Sequence, residues 1–227
     1  MRNQGSASPG PVYHYPLDAI RLASALLVAG FHLGFYSWAS EYSSTARALR
    51  GAAAFPWALP WTWFGFVGVE IFFVISGFVI ANSARGASPG RFVEGRALRL
   101  LPAAWICATI TLLARAGLGG DALGGLAAPY ARSMTLWLSG PWIDGVYWSL
   151  AVEIVFYALV ALLLILGRFA LLPKVAWALT GAAGAFILLD RAPQLHAHAV
   201  WRAIEAHADV LLLEHGAFFA IGIWLWL

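Results

Sequence analysis

Charge is scarce in this chain and cysteine is almost missing. Of 227 residues only 11% are Asp, Glu, Lys or Arg, and Cys107 is the single thiol. A soluble domain carries about 25% charged residues, so a water-solvated globule is excluded. One cysteine permits no intrachain disulfide and leaves the redox compartment undetermined. There is no Gly-rich phosphate loop, no dinucleotide fingerprint and no internal repeat. A His-x4-Asp pattern is also lacking, which argues against the peripheral glycerolipid acyltransferases. No cleavable signal precedes the first apolar run, because residues 1–16 are polar and Pro/Gly-rich and the run itself is too long for a signal core. What the sequence does hold is 61% hydrophobic residues, twelve Trp and a mean hydropathy of +0.76. These features describe an all-α polytopic membrane protein. The net charge of +3 is small and reads as topology, so no nucleic-acid partner is expected.

Length and breakers place six spans, over residues 17–38, 61–83, 97–115, 148–167, 172–189 and 210–227. Residues 1–16 read as a cytoplasmic tail and 17–227 as one transmembrane domain. The stretch 130–147, with Met134–Leu138 as its apolar core, is too short and too broken by Gly140, Pro141 and Gly145 to cross, and reads as re-entrant or interfacial. Arg85, Arg91, Arg96 and Arg99 face only Glu94 in one connection. Arg168 and Lys174 flank another on the same side, and Arg2 joins them. That side is expected in the cytosol of a plasma (inner) membrane, with the N-terminus cytoplasmic. The other side mixes Arg47, Arg50, Arg132, Arg191 and Arg202 with Glu41, Asp121, Asp144, Asp190, Glu205 and Asp209. Trp57, Trp61 and Trp63, together with Trp142, Tyr147 and Trp148, read as its aromatic belt. The chain ends apolar through Phe218–Leu227 with no anchoring charge, so it is expected to be a piece of a longer protein, with partner helices missing.

Ionisable side chains inside spans are expensive and mark function. Arg21 and His32 stand eleven residues apart in the first span, on one face and about 16 Å apart along the axis. Counting about 1.5 Å per residue from the expected cytoplasmic ends puts His32 about 22 Å up its span, Glu70 about 20 Å and Glu153 about 22 Å. The count predicts one acid–base level shared by three helices. Arg21, Arg96 and Arg99 form a second level near the surface, with Asp18 placed to pair with Arg21. A polar channel, basic at its mouth, follows. Duller roles compete: His32 as a packing histidine, Glu70 as a helix tie, and Arg96 and Arg99 as topology anchors. Gly65, Gly68, Ser76 and Gly77 read as close-packing positions, and Ser149 as a helix-start cap.

Leu17-Asp18-Ala19-Ile20-Arg21 leading to His32 and Gly68-Val69-Glu70-Ile71-Phe72-Phe73-Val74-Ile75-Ser76-Gly77-Phe78 come first in order. Phe92 with Arg96, Arg99 and Pro102 follow, then Trp148-Ser149-Leu150-Ala151-Val152-Glu153 with Phe156-Tyr157. In that order they resemble the acyltransferase 3 family of integral membrane O-acyltransferases, with a weaker match at Phe218–Gly222. Ala19 replaces the usual Gly, and Ile154 a common second acid. The resemblance implies transfer of an acyl group, usually acetyl from acetyl-CoA, to a hydroxyl of a sugar or envelope glycan. On that reading His32 is the base and Glu153, or else Glu70, orients it. Arg21, Arg96 and Arg99 hold the CoA phosphates, while Asp18, Glu70 and Trp148 support the site. Acyl-CoA, a carbohydrate acceptor and the lipid bilayer are the expected partners. No metal is expected, because His196, His198, His207 and Asp209 match a zinc site in spacing only. A transporter using the same buried charges, or an inert remnant, is the alternative.

Overall fold

The computed structural model describes residues 15–40, 43, 53–118 and 120–227. The N-terminal tail through residue 14, with Arg2, and the loop residues Glu41, Arg47 and Arg50 lie outside the described residues. Every regular element among the described residues is helical. We number the main helices α1 (Tyr15–Phe31), α2 (Val67–Ala84), α3 (Pro89–Gly117), α4 (Leu123–Met134), α5 (Tyr147–Ile165), α6 (Leu172–Asp190), α7 (Ala199–Glu205) and α8 (Gly216–Trp226). The helix of α1 continues as a π-helical turn over His32–Tyr36 and one α-turn, Ser37–Ala39. Short helical turns at Pro56–Ala58 and Leu59–Thr62 lead into α2.

Five segments are long and apolar enough to cross a membrane: Pro16–Ala39, Pro56–Ala84, Pro89–Gly117, Tyr147–Ile165 and Phe169–Asp190. The sixth expected span, 210–227, is helical in its second part: residues 206–215 are turns, with Leu212 at a φ of 58°, and the apolar helix α8 follows them. The third helix starts eight residues earlier than its apolar pattern suggests. Gly86 turns the chain at a φ of 70°, Ser88 caps by accepting the Arg91 N–H, and Pro89 occupies the first turn. The basic stretch 91–99 is therefore helical and continuous with the span.

α2 is the centre of the bundle, with α1, α5 and α8 packed on it and α6 closing behind α8. Lipid tails are as apolar as these side chains, so close van der Waals contact and not water exclusion must hold the helices together. Glycine makes the approach possible. A methyl on Gly65 would run into the Leu27 carbonyl, and one on Gly68 would sit 2.5 Å from the Ser24 oxygen. On the other flank Gly77 and Gly222 face each other's helix backbone, so α2 and α8 touch without intervening side chains. Below that contact Phe219 stacks on Phe156 at 4.3 Å, both fully buried. A second, smaller core joins α3, α4 and the start of α5 through Ala104, Ala108, Leu126, Ile143 and Tyr147.

The stretch 130–147 does not cross. Its first turns belong to α4, and residues 135–146 are an irregular wall with Leu136 at a φ of 52°. The wall is tied down at several points. Ser133 Oγ accepts the Ile143 N–H at 2.9 Å, Arg115 donates to the Ile143 carbonyl at 3.0 Å, and Arg132 donates to the Gly140 carbonyl at 3.0 Å. Only half of the expected aromatic belt lies at the surface. Trp57, Trp61 and Trp63 are exposed, whereas Tyr147 is buried with its hydroxyl donating to the Ala104 carbonyl, and Trp148 turns inward.

Candidate functional site

Between α1, α2, the wall and the turns before α8 lies a cavity of about 1080 Å³. His32 lines it from the start of the π-helical turn, a distortion of helical geometry that recurs at functional sites. Tyr36 from the same turn, Glu70 of α2 and Trp148 of α5 share the lining. The wall contributes Trp142 and Asp144, the end of α3 and its exit Arg115 and Asp121, and the α8 entry His215. Asp144 is the carboxylate whose charge bears on the His32 imidazole, while Glu70 is electrostatically linked to His215. Arg115 and Asp121 pair at 2.9 Å. The residues unite two imidazoles, carboxylates, a guanidinium and two indoles around one space.

Of the residues singled out in the sequence, His32, Glu70 and Trp148 meet in this cavity. Glu153 does not line it. Its Oε1 accepts hydrogen bonds from Ser76 at 2.5 Å and Tyr157 at 2.6 Å. Pairing with Ser76 places Glu153 six residues beyond Glu70 along α2, about 9 Å deeper in the bundle. The equal-depth count fails because it measures each span from its own end. The true register comes from contacts between parallel α2 and α5, namely Phe73 with Trp148 and Ser76 with Glu153. Ser76 is thus a partner of a carboxylate as well as a small packing residue.

Arg96 belongs to the Glu153 level. Its positive charge bears on Tyr157 and Glu153, its guanidinium lies 5.9 Å from the Phe92 ring, and its Nε is buried without a hydrogen-bond partner. The charge of Arg99, one turn on and exposed, also reaches Tyr157. Arg21 pairs with Asp18 at 3.0 Å on α1. Arg96 and Arg99 thus lie one turn apart on α3, whereas Arg21 is on α1 with its own carboxylate partner.

Four cavity residues escape the sequence reading: Asp144, Arg115, Asp121 and His215. His215 had a signal, since an imidazole beside Glu214 inside the apolar run 210–227 is as costly as His32. It ion-pairs with Asp209 at 3.2 Å and its ring packs on Trp148 and Phe73 at 5.0 and 5.3 Å. Asp144 sits in a connection, where no periodicity points to it. The four residues considered for zinc do not come together. His196 pairs with Glu205, Asp209 pairs with His215, and His207 bonds the Ala203 carbonyl. The Asp190 carbonyl and the Glu205 carboxylate together hold the His196 imidazole above the ordinary histidine pKa. Ser149 donates to the Val146 carbonyl inside the first turn of α5, and the α5 cap position itself is Val146.

The family described as an acyltransferase domain, acyltransferase 3, matches residues 14–227. The chain belongs to the acyltransferase 3 family. The match runs through every helix that builds the cavity, and the chain is a membrane acyltransferase by family. No curated protein and no solved structure matches the chain.

Proposed function

We propose that the chain moves an acyl group, acetyl in the first instance, from acyl-CoA at the arginine end to a hydroxyl of a sugar or envelope glycan held in the His32 cavity. The observation that carries this reading is the pairing of a roomy cavity, walled by two imidazoles, carboxylates and indoles, with the Ser76–Glu153 level about 9 Å away along α2, which Arg96 of α3 faces. Sugars suit the first: aromatic faces take their C–H surfaces, and carboxylates and Arg115 take hydroxyls. CoA phosphates suit the second, because guanidinium groups stay charged and bind phosphate bidentately.

The chemistry needs a base beside the acceptor. His32 takes the proton of the acceptor hydroxyl as its oxygen bonds the thioester carbonyl carbon. The carbonyl opens to an oxyanion, which collapses with cleavage of the C–S bond, and the departing sulfur receives the proton from His32. Ester and free CoA result, with atoms and charge in balance. Glu153, bound by Ser76 and Tyr157, serves the donor level in this scheme by facing Arg96. The excess of positive residues at the arginine end supports a cytosolic position for it, with the cavity on the far side of the plasma membrane.

The test is transfer of radiolabelled acetyl from acetyl-CoA to membrane glycan, with release of free CoA, in membranes carrying the protein. His32→Ala should lower turnover by about 10²-fold or more, as removal of a general base does. Equal turnover by wild type and variant rejects His32 as the base.

A further inference from the structure

A catalytic imidazole needs a group that fixes its orientation and balances the charge it acquires. Of the two glutamates that the sequence offers His32, one is engaged outside the cavity. Glu153 is bound by Ser76 and Tyr157, outside the cavity lining, and Glu70 is linked to His215. A third carboxylate is held in the wall opposite. Asp144 follows Ile143, whose side chain is buried and whose backbone N–H and C=O are both fixed, by Ser133 and Arg115. One Asp144 oxygen accepts the Val146 N–H at 3.2 Å, which sets the carboxylate at the entry of α5, and Asp144 lines the cavity.

We propose that Asp144 is the positioning carboxylate of His32: it aligns the imidazole across the cavity and carries the counter-charge when His32 takes the acceptor proton. The proposal rests on the acyl-transfer reading above. Groups facing His32 are Tyr36 on its own turn, Glu70 on α2, Asp144 on the wall, Arg115 and Asp121 at the α3 exit, and His215 before α8. Of these, Asp121 pairs with Arg115 and His215 pairs with Asp209; no described hydrogen bond or ion pair holds Glu70, but it is the charge of Asp144 and not that of Glu70 that bears on His32. No described hydrogen bond joins Asp144 and His32. Both line one cavity, and the alignment tightens when the acceptor fills the space, as catalytic contacts do on loading.

Asp144→Asn isolates the charge, because an amide oxygen can still accept the Val146 N–H and preserve the wall. Release of free CoA from acetyl-CoA, and labelling of membrane glycan, would be followed for wild type, Asp144→Asn, Asp144→Glu, His32→Ala and the double variant His32→Ala/Asp144→Asn. The expected result is a 10- to 100-fold loss of kcat in Asp144→Asn, with KM for acetyl-CoA within about twofold of wild type. Asp144→Glu should recover part of that loss, and the double variant should be no slower than His32→Ala alone. Wild-type turnover in Asp144→Asn, or a full multiplicative loss in the double variant, overturns the proposal while leaving the acyl-transfer reading in place. A wild-type protein that leaves acetyl-CoA intact overturns both.

Discussion

Glu153, half-buried, is held by neighbours that the sequence does not reveal, Ser76 and Tyr157. It holds two hydroxyl donors and faces Arg96, so it joins α2, α3 and α5 at one level. The consequences of its removal depend on how much is removed. Glu153→Gln keeps an oxygen for Ser76 and Tyr157 but withdraws the charge that Arg96 faces. Glu153→Ala leaves two hydroxyls without their acceptor as well, and each buried group so stranded costs about 1–3 kcal/mol. The glutamine variant should therefore melt close to wild type in detergent while its KM for acetyl-CoA rises several-fold. The alanine variant should lose stability outright. A glutamine variant with unchanged KM would show that Glu153 has no bearing on the donor level.

The contact between α2 and α8 decides whether the short eighth helix has a fixed place. Its apolar composition alone cannot fix it, since lipid would solvate those side chains equally well. The fit of Gly77 and Gly222 against facing backbone can. A Cβ on Gly222 would meet the Val74 carbonyl and lie 2.7 Å from the Phe78 nitrogen, atoms that cannot move aside without bending a helix. Gly222→Ala should cost at least the 1–3 kcal/mol typical of overpacking, read as a lowered Tm in detergent. Gly184→Ala on α6 meets nothing within 4 Å and should hold or slightly raise Tm, because alanine favours helix over glycine by about 0.5–1 kcal/mol. Equal melting of the two variants would refute the close contact. This scale also shows what the sequence could reveal. Helix identity, the small-residue seams and the two exposed runs of tryptophan and arginine follow from composition and spacing. The register of α5 on α2 and the wall over 135–146 do not, because they depend on Phe73–Trp148, Ser76–Glu153 and Ser133–Ile143 contacts between residues far apart in the chain. Asp144 and His215 enter the site only through those long-range placements.

Across the whole molecule, the two ends differ in charge. Arg85, Arg91, Arg96, Arg99, Arg168 and Lys174 gather where α2 meets α3 and α5 meets α6, with Glu94 the one acid among them. At the other end Asp121, Asp144, Asp190, Glu205, Asp209 and Glu214 are mixed with Arg115, Arg132, Arg191 and Arg202. If donor and acceptor come from opposite sides, the acyl group has to pass only from the Ser76–Glu153 level to the Glu70–Trp148 level, about 9 Å along α2, while the roughly 30 Å bilayer is spanned by the protein. That economy requires the arginine end to face the cytosol. In a Cys107→Ala background, a cysteine replacing exposed Glu94 should resist a membrane-impermeant maleimide applied to intact cells, and react once the membrane is opened. A cysteine replacing exposed Ser139 in the wall should react from outside at once. The reverse pattern would put the cavity in the cytosol, separate the arginines from the CoA pool, and remove the physical basis for transfer across the membrane.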